Sequence, residues 1–225
     1  MALKISWKYL IAFIALNMIM GELHEQAHIQ MGYLICGCYG PRDFNVWTTC
    51  DTCANPSLAY WATIMGPVFS YLVYWFSALF LLKQVNAKRN KLGIALLFAT
   101  LPFARIFTAC MGGGDEKTVL VMVWGEQFSL PLLKVMAAAL VMLFCLPPLW
   151  IAIKSLPQKN RWWYAAGFCI GPLLFGVFWQ RWVLKNALSM EWWKDSYIAG
   201  TPLLVILHFL LMLVLLIRFR KALTD

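Results

Sequence analysis

Two of the three histidines in the chain stand four residues apart, in His24-Glu25-Gln26-Ala27-His28. On an α-helix that separation is about 400° of rotation and roughly 6 Å of rise, so both imidazoles share one face. The spacing lets two ring nitrogens reach one zinc ion. Glu25, on an adjacent face, can then take a proton from a water at the metal and act as general base. The bland alternative is a pair of hydrogen-bonded polar residues at a helix end. Ionisable groups clustered in an apolar stretch favour the functional reading.

Two histidines leave a catalytic zinc one protein ligand short, and a carboxylate is a common third. Asp115 is the candidate. It follows Gly112-Gly113-Gly114, and glycines permit unusual backbone angles and the close approach of another segment. Glu116 is its nearest rival, and a helix-capping role for the glycines is the structural alternative.

The elements that must position these groups are read from composition. The chain has 225 residues, 62% of them hydrophobic and 13% charged, with a mean hydropathy of +0.69. A soluble domain is nearer ~45–50% apolar and ~25% charged. These values predict an all-α, polytopic membrane helix bundle of about six transmembrane helices, forming a single transmembrane domain over residues 1–225. The spans are expected at about 8–31, 58–82, 92–111, 130–153, 162–180 and 198–217, with a Cys-rich loop at 32–55. A cleaved signal peptide competes for the first apolar run. However, Gly21-Glu22-Leu23-His24-Glu25 offers no small-x-small cleavage site, and cleavage would remove the helix that carries the histidines. Thr118–Trp124 is apolar but too short to span, so it should lie at the interface or re-enter. Aromatic pairs near the span ends (Tyr60 and Trp61, Trp162 to Tyr164, Trp192 and Trp193) read as headgroup-level anchors.

The net charge of +9 does not point to nucleic acid, because the basic residues crowd short loops beside apolar spans. Lys83, Lys88, Arg89 and Lys91 share the second loop, Lys154, Lys159 and Arg161 the fourth, and Arg218, Arg220 and Lys221 follow the last span. Asp43, Asp51, Asp115, Glu116, Glu126, Glu191 and Asp195 fall in odd-numbered loops. The positive-inside bias puts both termini in the cytoplasm, and the histidines and Asp115 on the exoplasmic side. The membrane is expected to be a plasma (inner) membrane.

Cys36, Cys38, Cys50 and Cys53 lie in the first loop, where two disulfides are the simplest reading, with three connectivities open. A second, structural zinc site is the alternative. Cys110, Cys145 and Cys169 fall in spans and should behave as small apolar residues. Arg105 is a charge within the third span, expected to pair with Glu22 or to stabilise an oxyanion. Ten residues before Asp115, it should not share that residue's face of a regular helix. Glu22 could instead orient a zinc-bound histidine. His208 should be hydrogen-bonded core, and Gly167 and Gly171 should let helices pack closely.

HExxH at His24–His28, then Gly66-Pro67 within Met65-Gly66-Pro67-Val68-Phe69-Ser70, then Asp115 occur in an order that resembles the site-2 protease class of intramembrane zinc metalloproteases. In that family HExxH lies in one transmembrane helix, Gly-Pro in the next, and an Asp-Gly motif in a third supplies the last ligand. The resemblance covers roughly the first half of the chain. The family usually has Asn where Ser70 stands and Gly where Glu116 stands, and it places a Leu-Pro closer to the metal-binding Asp than Leu101-Pro102. Well-known members face the active site toward the cytosol. The resemblance implies Zn2+ held by His24, His28 and Asp115, with Glu25 as the catalytic base. The activity implied is hydrolysis of a peptide bond in a membrane-embedded or juxtamembrane segment of a substrate protein. A zinc or proton transporter, or a non-catalytic membrane subunit with a structural metal site, would use the same residues differently. Substrate identity and oligomeric state are left open.

Overall fold

A computed structural model describes residues 5–82, 86–190, 193 and 195–224. Lys83, Glu191 and Trp192, which figure in the charge and anchor patterns above, lie outside this set. The chain is mostly helical. Among the described residues, five helical segments are long and apolar enough to cross a membrane: Pro56–Leu81, Ala87–Cys110, Leu130–Ser155, Gln158–Leu188 and Leu203–Leu223. Large apolar side chains face outward along them, including Leu72, Leu143, Leu174, Trp182 and Val214, each more than 60% exposed. So broad an outward apolar surface suits a lipid-embedded protein, not a soluble one.

The first helix, α1 (Trp7–Cys36), has 30 residues. It is capped by Ser6, which accepts from the Tyr9 amide, and it ends on left-handed Gly37. It is long enough to span, but Asn17, Glu22, His24, Glu25 and His28 dilute its apolar character. The helix also runs past the expected end at residue 31, to the first cysteine.

Helix α2 (Ala59–Phe76) packs along α1 and carries Gly66-Pro67. The expected third span is not one regular helix. It is two helices, α3 (Ala87–Ala99) and α4 (Pro102–Cys110), broken at Leu101, whose φ is +61°. Proline at the first turn of α4 explains the break, since it disfavours helical geometry in the preceding residue and cannot donate an amide. The freed carbonyls find buried partners. Asn17 of α1 donates to Ala99 O at 2.6 Å, and the Tyr74 hydroxyl of α2 donates to Thr100 O at 2.8 Å. Two polar residues inside apolar helices thereby satisfy a backbone that has no water to turn to.

After α4 the chain reverses through Gly112 (φ +75°) and Gly114 (φ +98°) into α5 (Asp115–Trp124), the short apolar stretch, which packs against α2. Long α6 (Leu130–Ser155) and α7 (Arg161–Gly176) come next, and the latter continues through a π-helical stretch (Val177–Leu184) into α8 (Lys185–Leu188). The last span starts later than expected. Ser196–Ile198 (β1) and Thr201–Pro202 (β2) form an antiparallel hairpin turning on Ala199 and Gly200, both with positive φ, before α9 (Leu203–Phe219). The core joins α1, α2, α3, α6 and α7 through residues such as Phe13, Tyr74, Phe98, Val141 and Phe168, with Phe98 and Phe168 stacked at 5.1 Å.

Trp7 and Phe219 meet at 5.5 Å, so the first and last helices bring the chain's two ends to one end of the bundle. Gly167 and Gly171 depart from expectation. A Cβ on either would meet nothing within 4 Å, so they line an apolar groove against Leu10 and Ile14 and do not seat a close helix crossing. His208 is hydrogen-bonded as expected, accepting from Trp179 Nε1 at 3.2 Å.

Candidate metal centre

His24 and His28 sit on one face of α1 with their Nε2 atoms 3.1 Å apart. The reversal at Gly112–Gly114 carries Asp115 to them, its Oδ2 lying 3.6 Å from Nε2 of His24 and 3.8 Å from Nε2 of His28. Four ligands arranged tetrahedrally at zinc–ligand distances of about 2.0–2.2 Å stand roughly 3.3–3.6 Å from one another, close to this spacing. Among the described residues these three side chains form the group of His, Cys, Asp and Glu ligand atoms able to hold a metal ion.

The other ring nitrogens are engaged. His28 Nδ1 lies 2.8 Å from the Ala62 carbonyl of α2, which can only accept, so His28 must donate there and its Nε2 carries a bare lone pair. His24 Nδ1 is 2.9 Å from the Ser70 hydroxyl, also on α2. With Nδ1 of each ring turned to α2, both Nε2 atoms and a carboxylate oxygen face one point. A cation there would replace any proton on His24 Nε2, and the contacts at Nδ1 orient both rings for it. Asp115 is ready for that role. Burial pushes its carboxyl up, but hydrogen bonding with His24 and the Arg105 guanidinium outweigh this and hold it down at about 2.

Gly66 accounts for how α2 comes so close. A Cβ there would overlap Nε2 of His28 and lie 2.7 Å from Cε1 of His24. The glycine beneath the histidines is therefore a steric requirement of the site.

Glu25 is buried and lines a cavity of about 720 Å³ that also takes in His24, His28, Trp47, Arg105 and Asp115. Glu116, the rival ligand, is directed elsewhere. It is 3% exposed, receives the Tyr71 hydroxyl, and faces Arg105 Nε at 3.5 Å.

Arg105 corrects two expectations. It does not pair with Glu22; it donates to Asp115 Oδ2 at 3.0 Å. The ten-residue separation is no obstacle, because the glycine reversal takes α5 off the axis of α4. Glu22 pairs instead with Arg42 of the cysteine loop, two-pronged at 2.7 and 2.8 Å, and does not touch a histidine ring nitrogen.

The cysteine loop forms the roof. Its four thiols are joined as Cys36–Cys53 and Cys38–Cys50, one of the three open connectivities. Cys110, Cys145 and Cys169 are free. Asp43 closes a tight turn by accepting from the amides of Asn45 and Val46, and this aligns Arg42 opposite Trp47. Trp47 then stacks on His28 with centroids 5.3 Å apart and planes 20° from parallel. Lys185 holds Asp43 at 2.9 Å, and Gly200 of the hairpin abuts the Gly40 carbonyl.

Sequence reasoning assigned no role to Trp47, Arg42, Tyr71 or the Ala62 carbonyl. None carries a motif. Only Ser70, four residues after Gly66 and so on nearly the same face of α2, had a spacing that could have flagged it. Fold and site together define a helical membrane protein with a candidate metal centre roofed by a disulfide-bonded loop. Comparisons with protein-family models, with curated proteins and with solved structures found no match to the chain.

Proposed function

We propose that the chain is an intramembrane zinc metalloprotease of the site-2 protease class, with α1 as a sixth span and the metal centre facing the exoplasmic side. The observation that carries this is the convergence of His24 Nε2, His28 Nε2 and Asp115 Oδ2, with Gly66 under both rings and Glu25 lining the same cavity. The order of HExxH, Gly-Pro and Asp supports the class. The disulfides support an oxidising, exoplasmic face, and the acid-free basic loops support cytoplasmic termini.

Zinc held by these three side chains would supply a Lewis acid for a peptide carbonyl and lower the pKa of a water. Glu25 takes the proton of the attacking water and returns it to the leaving amine. The His28–Ala62 and His24–Ser70 contacts keep both rings aimed throughout. The cavity admits a substrate segment, which must be locally extended because the carbonyls of a helix are already hydrogen-bonded. The substrate is a membrane-embedded or juxtamembrane stretch of protein.

Glu25→Gln is the test. The variant should keep stoichiometric zinc and lose cleavage of a reconstituted transmembrane substrate by at least ~100-fold, the lower end of general acid–base contributions. Equal cleavage by wild type and variant would sink the catalytic assignment and leave a structural or transport site.

A further inference from the structure

Arg105 is the group at the site whose role the proposed reaction leaves unexplained, and the role inferred for it rests on the metal reading above. A guanidinium within an apolar bundle is costly unless its charge is matched, and here it faces two carboxylates. Nη2 donates to Asp115 Oδ2 at 3.0 Å, and Nε lies 3.5 Å from Glu116 Oε1. Glu116 is fixed in turn by the Tyr71 hydroxyl, and the Tyr71 ring is stacked on Phe144 at 4.9 Å. The chain of contacts therefore runs from α6 through Tyr71, Glu116 and Arg105 to the very oxygen that faces both histidines.

We propose that Arg105 is a positioning residue that makes Asp115 a one-oxygen ligand. A carboxylate oxygen has two acceptor sites. Arg105 occupies one on Oδ2, which leaves the other for the metal and prevents the carboxylate from rotating to present both oxygens equally. A fourth coordination position would then stay open for water on a metal held by these three side chains. Glu116 neutralises the guanidinium, so the negative charge of Asp115 remains available to attract a dication. Tyr71 keeps Glu116 from turning to the metal itself.

Cobalt(II) in place of zinc tests this, because its visible absorption distinguishes four-coordination from the weaker bands of higher coordination. Affinity is read in parallel by competition with a chelator. Wild-type protein should give the intense four-coordinate spectrum. Arg105→Lys keeps the buried charge but replaces the two separate nitrogens that face Asp115 and Glu116 with a single ammonium. It should bind cobalt about 10–100-fold more weakly, the usual loss when a group orienting a ligand is removed, with absorption shifted toward higher coordination. Tyr71→Phe, which removes one hydroxyl and keeps the packing, should weaken binding in the same direction by less. Wild-type affinity and spectrum in Arg105→Lys would overturn the proposal. A wild-type protein that takes up no cobalt would overturn the metal reading itself, and this inference with it.

Discussion

Replacing Gly66 with alanine should separate the metal site from the fold. The added methyl would stand 2.6 Å from Cε1 of His28 and 2.7 Å from Cε1 of His24, against about 3.5–4.0 Å for carbon atoms in normal contact. Something must therefore move by about 1 Å. The rings cannot swing aside freely, because Nδ1 of each is tied to Ala62 or Ser70. Metal–ligand distances tolerate only about ±0.2 Å, so displacement on this scale removes at least one ligand. Zinc affinity should fall at least ~100-fold, or about 2.8 kcal/mol at 1.4 kcal/mol per tenfold. The helix itself should not suffer, since alanine is favoured over glycine within a helix by up to ~1 kcal/mol. Gly167→Ala, where a methyl meets open space, is the control. The assay is chelator-competition zinc binding beside thermal unfolding of the metal-free protein. Zinc affinity within threefold of wild type in Gly66→Ala would refute the steric account of the site.

Three further outcomes are expected. Asp115→Asn offers only a neutral carbonyl oxygen, so it should lose zinc on dialysis against a weak chelator; zinc retained at wild-type stoichiometry would remove Asp115 from the ligand set. Non-reducing peptide mapping should return Cys36 linked to Cys53 and Cys38 to Cys50, with Cys110, Cys145 and Cys169 alkylated; four free thiols in protein purified without reductant would refute the roof as described. A cysteine introduced beside Lys88 should be labelled only from the cytoplasmic face and one beside Asp43 only from outside, and the reverse pattern would invert the orientation while leaving the metal centre standing.

The sequence by itself determined whatever depends on local spacing and composition. The i, i+4 placement of His24 and His28 on one helix face follows from the period of the helix, whatever the rest of the chain does. The helical, lipid-facing character of the bundle follows from apolar runs too long and too poor in charge for a soluble core. The cysteine loop was legible as two disulfides, but the pairing was not, since four thiols close together leave three connectivities equivalent. Leu101-Pro102 held a readable sign of the break in the third span, the residue before a proline being disfavoured in a helix, yet the hydropathy ran through it without interruption.

Tertiary structure alone decided the partners. Arg105 meets Asp115 because the chain breaks at Leu101 and reverses at Gly112 and Gly114, a path that no helical period encodes. Glu22 finds Arg42, and His28 finds Trp47, because two disulfides fold the loop back over the end of α1. Gly66 matters because α2 crosses α1 where the imidazoles stand. Each of these depends on where two segments approach in space, which is set by the packing of the whole bundle. Residue spacing fixes which side chains share a face, and only packing fixes what that face meets.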